Sequence, residues 1–600
     1  MHRSLASMGL DGPGVERPQQ VKDGIPIAES GLAGVWIASG GGALLDDLGE
    51  VDASSLSCCR GGGREAGSPV VLALRSVGSE YDVVAWGDPA AGGRLGAAEA
   101  EQLRGEGAVG LCSTSAAFAA LRRVAAPVAW GDPERGGCSD AVSAELAAGD
   151  IRAAVGSHGA FAALTRAGKV VTWGDAENGG SSDHVAEQLQ SGVVGLFVSR
   201  FAFAAVKEQA GAAHHSRCFH VQLDRTSGDS LGIEVESATG PTLQIKAVSS
   251  VGLVGVWNSA ANGPRISAGD RIISVNGKIN SALAILQECR EQKVLDMVVE
   301  PKDMACQVVT WGNRHCGGDL STAKWQLEAG VVRVYSNVYA FAAVKEDGAV
   351  VAWGAPDRGG DCSTVAEQLA SGVVSIFSTS GAFAAKKVDG SLVTWGDPTD
   401  GGDSSAAASE LAGGVANVWG NSGAFAALKE SGAVVSWGDA QSGGDASGVA
   451  EQLAAGIAEV AANEYAFAAL TTSGAVVCWG DPAYGGDARE VSEQLAGGVA
   501  SVSGNGVAFA ALKADGSVVA WGRADRGGAL GSASSQLAGD VARLYYNSGA
   551  FVALKSGGAV VTWGDPSCGG DCSSVHGQLT GGVVGIGATE RAFAALKKRC

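Results

Sequence analysis

Hydrophobic and polar positions recur in one fixed order along most of the chain. In residues 331–336, VVRVYS, apolar and polar side chains alternate, which predicts a β-strand. AFAAVK at 340–345 predicts a second strand and AVVAWG at 349–354 a third, and the EDG between them has glycine where a hairpin turn wants a positive φ. The segment STVAEQLASG that follows predicts one or two helical turns before the order begins again.

The unit repeats with a constant period. Ten third strands end in Trp-Gly, and from Trp311 to Trp563 the spacing is 42 residues each time. In eight units, Phe203 and Phe341 through Phe593, the Phe of an Ala-Phe-Ala-like strand follows a Trp by 30 residues. Such a period indicates one supersecondary unit stacked many times. Three antiparallel strands with a short return predict an all-β, propeller-like array of blades, and arrays of this kind usually supply binding surfaces.

Two positions inside the unit carry predictions of their own. Thr364 and Glu367 fit a capping box at the start of the helical return. An Asn or Thr stands four residues before each Phe from Phe341 to Phe593: Asn337, Thr379, Asn421, Asn463, Asn505, Asn547 and Thr589. These side chains could form a polar ring, but local satisfaction of the turns is the better interpretation.

The sequence pattern of the repeat resembles that of a known family. V-V-x-W-G, a Gly-rich loop, a short return, V-x-x-V and A-F-A-A-L-K-x-D-G resemble the repeat of the regulator of chromosome condensation family, and the 42-residue version is more similar still to the propeller-type β-lactamase inhibitory protein. Where that family has a His before the small residues of the second strand, this chain has Ala-Phe, so no family-specific partner contact is carried over. The resemblance implies a propeller that binds a protein through its loops. The alternative function that it implies is regulation of a small GTPase by nucleotide exchange, or an adaptor role in the ubiquitin pathway.

A different kind of sequence interrupts the array. Trp173 and Trp311 are 138 residues apart, and within residues 214–302 the Ala-Gly rhythm gives way to Ile, Val, Arg and Asp. This segment resembles a PDZ domain over its full length. The residues that carry the resemblance are Ser230-Leu231-Gly232-Ile233, Gly269-Asp270-Arg271-Ile272 and Val275-Asn276-Gly277.

The PDZ resemblance implies a site for the C-terminus of a peptide. Main-chain N–H groups of Leu231, Gly232 and Ile233, in the loop that Ser230 opens, would bind the terminal carboxylate. The strand that follows, with Val235, would accept the peptide as an added β-strand.

Three more residues belong to this expected site. Arg225 matches the family's basic residue upstream of the loop, and a solvated surface charge is an equal interpretation. Leu283 and Leu286, on a helix predicted over 281–292, either line the peptide pocket or belong to the core. The start of that helix has no His, so a Ser/Thr preference in the ligand is not implied, and an apolar preference remains.

The predicted organisation is a disordered tail at 1–30, repeat blades at 31–213, a PDZ-like α+β domain at 214–302 and seven Trp-Gly units at 303–600. The sequence leaves two alternatives for how the repeats are arranged. Residues 306–600 could form a seven-bladed ring by pairing QVVTWG (307–312) with the C-terminal strands. Alternatively the PDZ-like domain is inserted in one blade hairpin, between the strands at 202–211 and 306–312; this is favoured because nothing else completes those strands. Residues 31–86 are expected to be a degenerate unit with strands GLAGVWIASG, VVLALR and DVVAWG.

Composition narrows the function further. With 43 basic against 63 acidic residues, the formal net charge is −20, which argues against a nucleic-acid or anionic-membrane surface. No apolar run is long enough to span a bilayer, and the first residues have no apolar signal core. The 13 cysteines occupy no constant repeat position and form no metal or disulfide pattern. These features indicate a cytoplasmic protein.

No catalytic motif stands out. No nucleophile elbow, P-loop, zinc-protease helix or dinucleotide fingerprint occurs in context. The loops of the form G-D-P-x-x-G-G-D repeat a pair of Asp, as at Asp397 and Asp403, which could hold a cation, but turn and cap roles are the better interpretation. We therefore expect no enzyme activity, no cofactor and no metal. The predicted function is a protein–protein interaction scaffold that binds C-terminal peptides and one further, unidentified protein at the propeller loops.

Overall fold

A computed structural model gives the fold of residues 36–38, 81–105, 107–122, 125–148, 150–208, 219–225, 230–235, 243–249, 251–259, 266–267, 270–276, 278, 282–291, 294–300, 306–328 and 330–598. The tail expected at 1–30 and the strand expected at VVLALR lie outside these residues. Within them, strands form ten antiparallel blades and one separate five-stranded sheet. A short strand β1, Trp36–Ala38, is added to one blade.

Each blade has a first, a second and a third strand, in that spatial order. We number the blades by their first strands. Blades 1 to 5 are β3–β5 (Gly110–Ser113, Ala117–Leu121, Val128–Gly131), β6–β8 (Ile151–Gly156, Ala160–Thr165, Val170–Gly174), β9, β10 and β16 (Val193–Val198, Ala202–Glu208, Cys306–Gly312), β17–β19 (Val331–Ser336, Ala340–Lys345, Val350–Gly354) and β20–β22 (Val373–Ser378, Ala382–Lys387, Leu392–Gly396).

The remaining blades follow the same plan, except that the last takes its third strand from the start of the described chain. Blades 6 to 10 are β23–β25 (Val415–Gly420, Ala424–Lys429, Val434–Gly438), β26–β28 (Ile457–Ala462, Ala466–Thr471, Val476–Gly480), β29–β31 (Val499–Gly504, Ala508–Lys513, Val518–Gly522), β32–β34 (Val541–Tyr546, Ala550–Lys555, Val560–Gly564) and β35, β36 and β2 (Val583–Ala588, Ala592–Lys598, Tyr81–Gly87).

The core lies between neighbouring blades. Phe341 and Trp353 are directly opposite each other on β18 and β19, and their rings stack with centroids 5.3 Å apart. The indole N–H of Trp353 donates to the carbonyl oxygen of Gly317 in the loop of the preceding blade, at 3.1 Å. Ala340 and Ala342 are completely buried beside the Phe, where the small side chain lets the sheets approach. All ten blades have this Trp-to-Gly bond, so it links each blade to its neighbour around the array.

The array closes into a ring. Strand β2 pairs with β36 over seven residues, from Tyr81 opposite Lys598 to Gly87 opposite Ala592. The seven-bladed alternative is therefore wrong: β16 pairs with β10, from Ala202 opposite Gly312 to Glu208 opposite Cys306. The degenerate N-terminal unit is also corrected, because the partners of DVVAWG come from the C-terminal end of the chain. Closure by distant strands leaves no blade with an incomplete sheet.

The first strands are innermost, and each contacts the next around the ring. The Oγ of Ser336 on β17 donates to the carbonyl of Val198 on β9 at 2.7 Å, and Ser113 on β3 does the same to Ala588 on β35. At one end of the ring, the loops between first and second strands also bond to one another: the N–H of His158 donates to Arg200 O at 2.8 Å. We call this end, formed by the loops that contain residues 114–116, 157–159, 199–201, 337–339 and their equivalents up to 589–591, the inner-turn rim.

Short helical returns connect the blades. They are α1 (Ala97–Gly105), α2 (Ser143–Ala148), α5 (Ala408–Leu411), α6 (Ala450–Leu453), α7 (Ser492–Leu495) and 3-10 turns, with the intervening domain's helices counted between α2 and α5. The capping box predicted at Thr364 and Glu367 is wrong. The turn there is Ser363–Val365 with Cys362 at its N-cap, so Thr364 lies inside the turn, which has no side-chain cap. Just before it, Asp361 accepts the N–H of Ser363 at 2.8 Å.

Between β10 and β16 lies a separate domain, residues 219–300, which we call the intervening domain. Its strands are β11 (Phe219–Asp224), β12 (Ile233–Val235), β13 (Leu243–Val248), β14 (Arg271–Val275) and β15 (Val294–Glu300), in the order β11-β15-β14-β13-β12; its helices are α3 (Leu253–Ser259) and α4 (Ala282–Glu291). A core that includes Val221, Ile245, Ile272 and Met297 is sealed by Ile285 of α4. Arg271 approaches Glu346 in the hairpin turn of blade 4 to 3.7 Å. Over the described residues, no helix combines the length and apolar character that crossing a bilayer requires.

Candidate peptide-binding site

The loop before β12 is held in place by its carbonyl groups. The carbonyl oxygens of Ser230 and Leu231 each accept a hydrogen bond of 3.0 Å from the first residues of α3, and that of Gly232 accepts one of 2.8 Å from Ser249. Gly232 has a φ of +75°, and a Cβ there would lie 2.5 Å from the carbonyl oxygen of Val251. Only glycine fits this position without strain. It lets the loop pass close to Val251 while the carbonyl groups of Ser230 and Leu231 bind α3.

The N–H groups of the same loop differ from its carbonyl groups in their hydrogen bonding. Among the residues that the structure describes, the N–H groups of Leu231 and Gly232 have no hydrogen-bond acceptor. Ile233 is opposite Val248, and because Gly232 accepts from Ser249, this is a non-hydrogen-bonded pair whose N–H points away from β13. Three consecutive N–H groups are therefore adjacent, two of them without a described acceptor and the third directed away from β13, an arrangement that suits an anion.

Strand β12 is the edge of its sheet, and apolar side chains stand beside it. The sheet order ends in β12, with β13 on one side and no described strand on the other. Leu231, Ile233 and Val235 are half-buried against the domain core, as is Leu286 on α4. The predicted site residues of the loop, the strand and this helix position thus pack against the same domain core, and their grouping into one peptide site stays a prediction. The side chain of Leu283 lies outside the described residues, and Ser230 is exposed.

Arg225 takes a role that neither sequence interpretation foresaw. Its guanidinium Nη1 donates to the carbonyl oxygen of Cys289 in α4. The residue is half-buried and not a solvated surface charge. Burial raises the pKa of the Cys289 thiol to about 11, with the charge of Arg225 opposing the rise. Arg225 therefore ties the start of the loop to the end of the helix, where a cation also complements the helix dipole.

The two motifs of the PDZ resemblance on the opposite side serve the fold. Asp270 is 2% exposed and accepts the N–H of Ser267 at 2.7 Å through its carboxylate. Asn276 has a φ of +49° and bridges to β15: its side chain accepts from Asp296 N–H at 2.8 Å and donates to Val294 O at 3.0 Å. These residues fix the β14 turn rather than contact a ligand.

Sequence reasoning missed the segment that supports the loop from behind, Ser249–Leu253. Gly252 has a φ of +112°, and a Cβ on it would lie 2.9 Å from the main chain of Gly232. The signal was present, because a glycine that stands just before a helix often marks two backbones in contact. Identifying which backbone it meets needed the tertiary fold.

Aromatic and charged side chains gather on the inner-turn rim. Phe201 packs against Tyr339 with ring centroids 6.3 Å apart, and Arg358 lies over the Tyr339 ring. Farther round, Tyr465 packs on Tyr484 at 4.8 Å. These rings are half-buried, whereas Tyr335, near the end of β17, is 3% exposed and belongs to the core.

The Asn, Thr or Ser at each inner turn satisfies the turn and also reaches farther. The Oδ1 of Asn337 accepts the N–H of Ala340 at 2.7 Å, and its Nδ2 donates to the carbonyl of Arg358 at 2.7 Å. Thr379 and Thr589 make the same pair of contacts through one hydroxyl. The local turn role is thus present, and a second bond fastens the inner turn to the loop after the Trp strand.

The acidic loops have turn roles throughout. Asp397 accepts the N–H of Thr399 and Asp403 that of Ser405, both at 2.9 Å, and these bonds lower the pKa of each carboxyl, although burial opposes them at Asp397. In the described part of the chain, no three His, Cys, Asp or Glu side chains gather as a metal site would require.

The closed ring of repeated three-stranded sheets defines the chain as a repeat β-propeller. No protein-family model and no curated protein matches the sequence. Among solved structures, it is similar to Prp20p of Saccharomyces cerevisiae, described with its binding to Gsp1p and histones (14% identity, TM-score 0.26, 47% of this chain and 84% of that chain). It is also similar to human WBSCR16 (16%, 0.26, 49% and 81%) and to the ectodomain of the receptor kinase CR4 of Physcomitrella patens (15%, 0.25, 38% and 59%). Nothing about the function of this chain follows from likenesses at this level.

Proposed function

We propose that the chain is a non-catalytic, cytoplasmic interaction scaffold whose intervening domain is PDZ-like and binds protein C-terminal peptides. The observation that carries this is the group of N–H donors at Leu231, Gly232 and Ile233 beside the open edge of β12. A terminal carboxylate is the anion that matches three converging amides, and an extended chain is what an open strand edge accepts. The propeller serves as the platform that displays this domain and its own loops.

The ligand's last side chain would meet an apolar wall. Ile233 on the strand and Leu286 on the helix both pack, half-buried, against the same domain core, and in this proposal they flank the edge. Arg225 does not contact the carboxylate in this proposal. It holds α4 to the start of the loop and so sets the distance between the helix and strand β12. An apolar C-terminal residue is therefore the expected ligand.

The test is fluorescence polarisation of the full chain with a library of labelled peptides that share sequences but end in either a free acid or an amide. We expect micromolar binding of acids with an apolar last residue and at least a tenfold loss for the amide. Binding that ignores the terminal charge would refute the carboxylate site.

Matched variants locate the binding. Gly232→Val places a Cβ against the carbonyl of Val251 and should abolish binding. Leu286→Lys should weaken it at least tenfold, while Gln287→Lys, the same charge on the exposed neighbouring position, should leave it unchanged. Equal losses in both Lys variants would place the peptide elsewhere. Thermal melts of each variant distinguish lost binding from lost folding.

A second proposal concerns the inner-turn rim, where Tyr339, Tyr465 and Tyr484 offer half-buried aromatic faces suited to a protein partner. The partner class that the repeat's resemblance favours is a small GTPase. Nucleotide release from a GTPase panel, with Tyr465→Ala as the variant and Thr472→Ala on the opposite end as its control, tests this. The absence of any stimulated release would remove the GTPase and leave the rim's partner to be found by other means.

A further inference from the structure

The innermost strand of every blade has one edge that faces the axis of the ring. In nine of the ten blades, no described strand pairs with the first strand on that side. Open strand edges accept further strands, and proteins usually cover or block them. The axial edges are thus potential sites for an extended segment.

One axial edge is occupied. Strand β1 lies on the inner side of β9 in the order β1-β9-β10-β16, and runs parallel to it. Trp36 is opposite Gly195, Ile37 opposite Leu196 and Ala38 opposite Phe197. A segment that comes before the first propeller strand in the sequence therefore enters the ring and extends the blade that also carries the intervening domain.

The residue at one register position distinguishes β9 from most other first strands. Gly195 is opposite Val206, the fifth residue of the second strand β10. In every other blade, we compare the first-strand residue that is opposite the fifth residue of the second strand, such as Arg333 opposite Val344. Six of these equivalents carry half-buried side chains on the edge strand, namely Arg333, Ser375, Asn417, Glu459, Ser501 and Arg543. Glycine leaves the main chain of β9 open at the point where Trp36 pairs.

We infer that the axial edge of β9 is a strand-binding site, and that residues 36–38 are its intramolecular ligand. The main chain supplies the affinity, as in other cases of strand addition, and Gly195 makes this edge accessible. A segment supplied from outside that runs parallel to β9 must displace residues 36–38. Residues 36–38 thus compete for this edge with an added copy of the same segment, independently of the peptide site on β12.

The experiment uses full-length chains and a labelled synthetic peptide of residues 30–44. Ile37→Pro in the chain removes an N–H and fixes φ in the middle of β1, so the intramolecular strand should leave the edge. We expect the peptide to bind the Ile37→Pro chain at least tenfold more tightly than the unmodified chain. A peptide that itself carries Ile37→Pro should not bind. Equal binding of the peptide to both chains overturns the competition.

Two glycine variants in the Ile37→Pro background identify the edge. Gly195→Val should abolish peptide binding, whereas Gly585→Val, at the equivalent position of β35, should preserve it. Side chains at this position in six other blades indicate that both variants fold, which thermal melts check. If the two variants behave alike, β9 is not the site.

Hydrogen exchange supplies a readout that does not need the added peptide. Amides of residues 193–198 should exchange more slowly in the unmodified chain than in Ile37→Pro, with residues 583–588 unchanged. Equal exchange at 193–198 in the two chains overturns the inference. A difference in exchange without peptide binding would reduce the site to a fixed internal contact and overturn its role as an acceptor.

Discussion

The indole N–H of Trp86 donates to the carbonyl oxygen of Gly569 at 3.1 Å, although the two residues are 483 positions apart in the sequence. Every other blade makes the same bond to a glycine in the blade before it, so Trp86 completes a cycle of ten equivalent contacts. This pair joins β2, the third strand of blade 10, to the loop that follows blade 9 and shows that blade 10 is equivalent to the rest.

Trp86→Phe tests the closure. The change keeps the aromatic ring and removes the donor, so we expect a loss of about 1–2 kcal/mol in the free energy of unfolding. Trp479→Phe removes the equivalent bond to Gly443 away from the closure and should cost about the same. Chemical denaturation measures both. An effect at Trp479 with none at Trp86 would mean that the ring is not closed there in solution.

Gly359→Ala tests the close approach between blades. Gly359 has a φ of +94°, and a Cβ would lie 2.6 Å from Cδ2 of Phe383. Backbone strain together with overpacking predicts a destabilisation of about 3 kcal/mol. The control is Gly448→Ala, where the new methyl group meets nothing within 4 Å; its melting temperature should be unchanged or slightly raised. A tolerated Ala at 359 would contradict the packing of the loop under Phe383.

Asn421→Ala removes a side chain that is 1% exposed and bonds in two directions. Its Oδ1 accepts from Ala424 at 2.8 Å and its Nδ2 donates to the carbonyl of Ser442 at 2.6 Å. We expect a loss of about 2 kcal/mol in unfolding free energy, because the buried partners lose their bonds. Asn421→Thr should recover much of it, since Thr379 makes the equivalent contacts with one hydroxyl. If Thr is no better than Ala, the side-chain bonds are not the cause.

His158 predicts a pH dependence of stability. Burial, followed by the charges of Arg200 and Arg135, lowers the pKa of its imidazole from 6.5 to about 4, with Asp175 opposing and the Glu590 carboxylate 3.7 Å away. As the pH falls below 6.5, His158 binds a proton in the unfolded chain but not in the folded chain. The contribution of neutral His158 to the free energy of unfolding is therefore fully present above pH 6.5 and is lost as the pH drops toward 4.

The expected loss across that window is about 3 kcal/mol at most. His158→Asn removes this titration, so the stability of the variant should fall less than that of the unmodified chain between pH 6.5 and 4. Denaturation curves at several pH values compare the two. Parallel pH profiles would show that His158 is protonated as easily in the folded chain as in the unfolded one.

Much of the propeller could be predicted because its information is local and repeated. The alternation in VVRVYS, the Trp-Gly ending and the hairpin turn each depend on neighbouring residues, so the three strands of a blade appear at the predicted places. The capping box at Thr364 and Glu367 failed for an equally local reason, since the turn begins at Ser363 and Thr364 therefore lies inside it and not at its N-cap. The binding role of the loop at Leu231, Gly232 and Ile233 rests on a resemblance and stays a prediction, and the support of that loop by Ser249–Leu253 was not predicted.

By itself, the sequence determined the unit: its strands, its period and the interruption at 214–302, because side-chain alternation and glycine turns act over a few residues. Only the tertiary structure decided how the units combine. Which strand completes β36 and which edge accepts Trp36 are pairings between main-chain groups that many similar strands could satisfy equally well. Which carbonyl Arg225 reaches depends on α4, which is distant in the sequence. In a repeat protein the local pattern is the same in every blade, so the choice among equivalent partners falls to the geometry of the closed ring.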